Sequence, residues 1–113
     1  MSADFNPLAG RRCEACTPQT PALSQTEIES YLTFVPKWQQ NGQSLERRFR
    51  FDDYYQTMAF ANAVAWIAHR EDHHPVMEVG YKQCVVRYTT HAIGALSEND
   101  FICAAKVDGL VAG

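Results

Sequence analysis

The 113-residue chain is 46% apolar and 20% charged and carries a formal charge of -3, a profile that fits one globular domain. A pI near 5.7 argues against direct nucleic-acid binding, which wants a basic face. No apolar run approaches the ~20 residues that span a bilayer. Residues 1–12 lack the apolar centre of a secretory signal, so a cytoplasmic setting is expected.

Residues 1 to about 22 contain Pro7, Gly10, Pro18 and Pro21 without hydrophobic periodicity, and are expected to form a flexible arm ahead of a domain over 23–113. The arm carries a lone Cys13-Glu14-Ala15-Cys16. A structural zinc site needs a second pair or matching histidines, and Cys84 and Cys103 lie too far along the chain to supply the pattern. The cysteines therefore read as reduced thiols, and the arm as dispensable for chemistry.

Ser24 followed by Glu27 is a capping box that opens a first helix from Gln25 to about Phe34, with Ile28, Leu32 and Val35 as its apolar stripe and Pro36 as its stop. Asn41-Gly42 between two short runs predicts a hairpin with a type I′ turn. Alternation in its second strand puts Leu45, Arg47, Phe49 and Phe51 on one face and Glu46, Arg48 and Arg50 on the other. Asp52-Asp53 then caps a long helix reaching about Asp72. Its apolar residues Met58, Phe60, Val64, Ile67 and Ala68 are joined by Ala59, Ala63 and Trp66, a stripe wider than one sheet covers. A neighbouring subunit is the expected second cover.

Val76–Val79 and Gln83–Thr90 predict two more strands, with Cys84, Val86, Tyr88 and Thr90 on the core face and His91 pointing the other way. Ser97 caps a last helix carrying Phe101, Ile102, Ala105 and Val107. The expected fold is α+β: a four-stranded antiparallel sheet with three helices on one face, in the order α-β-β-α-β-β-α.

All four histidines fall between positions 69 and 91. Pro75 biases His74 away from helical angles, so the long helix should end near Asp72 or His73. His73 then stands at the negative end of a helix dipole beside Asp72, and both favour imidazolium. A histidine so placed can deliver a proton near neutral pH. His69 and His73 share a helix face, but Glu71 stands at the wrong place for a helical zinc-hydrolase motif, and no metal is expected.

The spacing His69-x3-His73-His74-Pro75-x5-Tyr81-x9-His91-x8-Asp100 resembles the signature of the pterin-4a-carbinolamine dehydratases. Trp38, Phe49-Arg50-Phe51 and Gly94-x-Leu96-Ser97 extend the resemblance over about residues 23–108, and Cys-Glu-Ala-Cys is similar to bacterial members associated with phenylalanine hydroxylase. The resemblance implies dehydration of 4a-hydroxytetrahydropterin to quinonoid dihydropterin, without cofactor or metal. It implies His73 and His91 as general acids at the hydroxyl and His74 as ring-orienting group or base. Asp72, Thr89, Thr90 and Ala92 would line the pterin pocket, with His69 and Pro75 also at the substrate. Many members have a glutamate where this chain has His69, so His69 or Glu71 must substitute or the activity differs. The family assembles as dimers or tetramers, and an aromatic amino-acid hydroxylase is the implied partner. Some relatives also serve as a dimerisation cofactor for a transcription factor, which makes a binding-only role the alternative.

Overall fold

Helix α1, Gln25–Leu32, begins where Ser24 and Glu27 cap each other: the Ser24 amide donates to Glu27 Oε1 at 2.8 Å, and the Glu27 amide donates to Ser24 Oγ at 3.1 Å. The computed structural model describes residues 6–111. It continues with β1 (Gln39–Asn41), β2 (Ser44–Arg50), α2 (Tyr54–Glu71), β3 (Val76–Val79), β4 (Gln83–Tyr88) and α3 (Glu98–Asp108). The four strands form one antiparallel sheet in the order β1-β2-β4-β3. Element order and architecture are those expected from the sequence.

Register follows from which side chains must be dry. Leu45 lies opposite Tyr88 and Phe49 opposite Cys84, and all four are buried. Phe60 and Val64 of α2 and Phe101 and Ala105 of α3 meet them from the helix side. Phe49 and Phe60 pack with tilted rings at 4.5 Å between centroids, and Tyr31 of α1 stacks on Phe101 at 5.3 Å. The opposite sheet face is wet: Arg87 bridges Glu46 and Glu78 at 3.0 and 2.8 Å. Asp108 closes the end of α3, accepting from Trp38 Nε1 at 2.7 Å and Arg47 Nη1 at 2.6 Å.

Four expectations are corrected. Helix α1 stops at Leu32, and Phe34, left in the turn after it, is exposed. The hairpin loop is Gly42-Gln43 rather than Asn41-Gly42, since Asn41 pairs with Ser44. Glycine is then the first loop residue and takes the positive φ of 62°, the position that a type II′ turn reserves for it. Strand β4 ends at Tyr88, and Thr90 instead bridges to Ala95. The fourth correction is the arm. Residues 6–22 have no helix or strand but are tied down, for three reasons that need partners distant in sequence. Leu8 is in the core, Lys106 Nζ donates to Ala9 O at 2.7 Å, and the Cys13 amide donates to Glu71 Oε1 at 2.8 Å. Residues 1–5, part of the same expectation, lie outside the described residues.

Two buried acids hold their protons tightly. Burial is the main force raising the Tyr88 phenol above its usual 10.0. The hydrogen bond with Cys13, then burial, raises the Cys103 thiol above its usual 9.0. Unfolding above pH ~9 for the thiol and ~10 for the phenol therefore releases protons that the folded chain retains, so stability is full below pH ~9 and falls as pH rises. The loss should approach ~1.4 kcal/mol per pH unit for each group. Urea midpoints measured from pH 8 to 11 should fall in the upper part of that range, and a flat profile would contradict both assignments.

Candidate functional site

Asp72 caps the end of helix α2, and its left-handed backbone (φ 52°, ψ 43°) turns the chain out of the helix. The His73 amide still reaches back to Ala68 O at 3.2 Å. This turn swings His73 inward, and only 7% of it is exposed. Its ring lies nearly parallel to that of Tyr88, at 5° and 5.8 Å. Its Nε2 is 2.6 Å from Asp100 Oδ1.

Asp100, in the first turn of α3, is fully buried. Its other oxygen accepts from Thr90 Oγ1 at 2.8 Å and from the Ser97 amide at 2.9 Å. Ser97 Oγ lies 2.7 Å from Thr90 Oγ1; Thr90 spends its hydrogen on the carboxylate, so the serine hydroxyl donates to the threonine oxygen. A carboxylate has only lone pairs to offer, so Nε2 of His73 carries the hydrogen between them. Nδ1 is then the nitrogen left for proton exchange.

Around that nitrogen lies an open hollow of about 160 Å³, lined by Cys16, Asp72, His73, His74, Thr89, Thr90, His91 and Ala92. His74 and His91 are exposed and also line it, one after α2 and one after β4. Three histidines thus border one space, one anchored by Asp100 and two exposed. A proton donor and a proton acceptor can serve one small molecule there.

Of the substrate-contact residues expected from the sequence, Asp72, Thr89, Thr90 and Ala92 line the hollow, and His69 and Pro75 do not. His69 lies on the exposed side of α2 against Trp66, at 5.6 Å between rings. One turn of helix places it near His73 in sequence, but the left-handed Asp72 takes His73 inward and leaves His69 outside. Glu71 does not stand in for the missing glutamate either. Its buried carboxylate is engaged by the Cys13 amide at 2.8 Å and by Arg12 Nε at 3.5 Å.

Cys16 is the lining residue that sequence reasoning missed. It sits on the segment expected to be dispensable, and its sulfur is 3.9 Å from His73 Nδ1. Cys13 does not join it; its sulfur is 3.4 Å from Cys103 Sγ. Among the described residues no three His, Cys, Asp or Glu side chains are grouped as metal ligands would be. A larger cavity of about 520 Å³ lies between the amino-terminal segment, α1 and the start of α3. It contains no imidazole, and its charged Arg11 and Glu98 are already paired with each other, so it is a seam rather than the reactive centre.

The sequence pattern of the pterin 4 alpha carbinolamine dehydratase family matches residues 21–110, which include the whole histidine constellation. The chain belongs to this family. A protein of Nitrosospira multiformis named, provisionally, as pterin-4-alpha-carbinolamine dehydratase is 54% identical over 110 residues, covering 97% of each chain. One of Nitrosomonas eutropha, with the same provisional name, is 58% identical over 105 residues, covering 92% of this chain and 93% of its own. The crystal structure of a transcriptional coactivator/pterin dehydratase from Brucella melitensis superposes with a TM-score of 0.77 at 27% identity, covering 82% of this chain and all of that one. A pterin dehydratase-like protein identified as a RuBisCO assembly factor in the alpha-carboxysome matches with a TM-score of 0.55 at 30% identity, over 65% of this chain and 84% of its own.

In this dehydratase family member the aspartate that ends the His73-His74-Pro75…His91…Asp100 series is the buried anchor of the first histidine. Asp100→Ala would leave His73 Nε2, Thr90 and Ser97 without their acceptor in a dry site. Urea unfolding should show a loss of several kcal/mol, since each stranded buried donor costs about 1–3 kcal/mol. Asp100→Asn fills the same volume and should lose less. Equal stability of Asp100→Ala and the unchanged protein would remove Asp100 from this role.

Proposed function

We propose that the chain dehydrates 4a-hydroxytetrahydropterin to quinonoid dihydropterin and water by histidine acid–base chemistry. The observation that carries the reading is the convergence of His73, His74 and His91 on one hollow, with His73 pinned through Nε2 by buried Asp100. Breaking the carbon–oxygen bond needs a proton on the departing hydroxyl, and the ring must lose an N–H proton. His73, through Nδ1, and His91 are the acids at the hydroxyl. His74 orients the ring or takes its proton. Asp72, Thr89, Thr90 and Ala92 contact the pterin, and no further cofactor or metal takes part.

The product chemistry suits recycling of the pterin used by an aromatic amino-acid hydroxylase in the cytoplasm. Replacing His73 or His91 with alanine should slow dehydration by about 10–10⁴-fold, the range for a positioned proton donor that is lost or partly replaced by the other histidine. The double replacement should approach the spontaneous rate. His74→Ala should raise KM more than it lowers kcat. Stopped-flow dehydration by the purified protein checks all three. Near-normal turnover in the double variant, or loss of activity on adding EDTA, would sink the mechanism.

The same reading includes a homo-oligomer. Trp66 is 59% exposed on α2, Val76 and Val79 are exposed along β3, the sheet edge, and Tyr54 and Tyr81 form an exposed pair. An unpaired strand edge with apolar side chains invites a second copy. Sedimentation equilibrium at micromolar concentration should give a dimer or tetramer, and Trp66→Glu should shift it toward smaller species. A monomer for the unchanged protein would refute this part.

A binding role without catalysis is the second reading. It rests on the replacement of the usual glutamate by His69, which lies outside the hollow. The rate of carbinolamine dehydration over the spontaneous background separates the two.

A further inference from the structure

We infer that Cys16 is a positioning residue for His73, so that the amino-terminal segment completes the dehydratase site instead of standing apart from it. The inference rests on the acid–base reading above and deepens it. Asp100 occupies Nε2, so the chemistry of His73 depends on what meets Nδ1, and the protein group there is Cys16 Sγ at 3.9 Å. A thiol suits either state of that nitrogen. Its S–H donates weakly to the neutral ring, and its lone pairs accept from the protonated one. The ring therefore keeps one orientation before and after its proton moves.

The sulfur is not there through loose packing. Asn99, 7% exposed, spends its whole amide on this segment. Its Nδ2 donates to Glu14 O at 2.7 Å and to Cys16 Sγ at 3.1 Å, and its Oδ1 accepts from the Glu14 amide at 3.2 Å. The Cys13 amide is fixed on Glu71, the last residue of α2. Asn99 and Asp100 are neighbours in the first turn of α3. One places the sulfur and the other places the imidazole, so the Cys16–His73 distance is set by a single rigid turn. Because Cys16 is partly exposed and lines the hollow, substrate entering the hollow meets the sulfur and Nδ1 together.

The test pairs kinetics with a signal that needs no turnover. Cys16→Val keeps bulk and removes donor and acceptor. It should lower kcat by about 3- to 10-fold, the worth of one neutral hydrogen bond, with KM little changed. Cys16→Ser should restore most of the rate. In the free protein labelled with ¹⁵N-histidine, the His73 Nδ1 resonance should move in Cys16→Val and lie between the two in Cys16→Ser. Cys16→Ala gives the same readings if valine disturbs folding. An unchanged kcat with an unmoved Nδ1 resonance overturns the inference. A lost rate that serine does not restore also overturns it, since that marks a filler of space. If the unchanged protein fails to dehydrate the carbinolamine, the functional reading falls. The Nδ1 resonance then decides the Cys16 contact alone: a shift in Cys16→Val upholds it, and no shift rejects it.

Discussion

The buried carboxylate of Asp100 is the constraint on which the site depends. It is fully buried at the foot of α3 and accepts from an imidazole, a hydroxyl and a backbone amide. A charge in that position is tolerable only with its lone pairs satisfied. Those donors come from the end of α2, from the loop after β4 and from the cap of α3, so satisfying one side chain brings three chain segments to one point. The same bonds fix which nitrogen of His73 faces the hollow. Stability and chemistry are thus joined in one hydrogen-bond set.

The rest of the sheet and helices supports that point. Tyr88 supplies the flat surface on which the His73 ring lies, and its place in β4 is fixed by pairing with Leu45 across β2. The left-handed turn at Asp72 separates an exposed His69 from an inward His73 only four residues later. Without that turn both would lie on one helix face. The backbone at Asp72 therefore decides which of the two histidines reaches the hollow. The amino-terminal segment adds a further layer, since Glu71 and Asn99 hold it against the same helix ends.

Family membership and site geometry bear on different questions. The family pattern and the relatives of more than half identity set the fold and the pterin dehydratase kinship. Structural neighbours include a coactivator/pterin dehydratase and an assembly factor, so the scaffold alone does not select catalysis over binding. What bears on catalysis is local: an imidazole anchored through one nitrogen with Cys16 at the other, and two exposed histidines bordering the same space.

The sequence by itself determined the element order, the antiparallel sheet, and the faces of β2 and β4. These are legible because capping residues, period-two alternation and Pro75 act within a few positions. The same local logic reached the wrong loop residues in the hairpin, where the pairing of Asn41 with Ser44 moves the turn by one. The resemblance put His69 and Pro75 at the substrate, whereas the hollow is lined by Cys16 and by neither of them. Those are decisions of tertiary structure. Asp100 is 27 residues from His73, and Asn99 is 83 from Cys16; no periodicity carries information over such separations. Only the packed chain, with buried polar groups requiring partners, brings Cys16 to the histidine and leaves His69 outside.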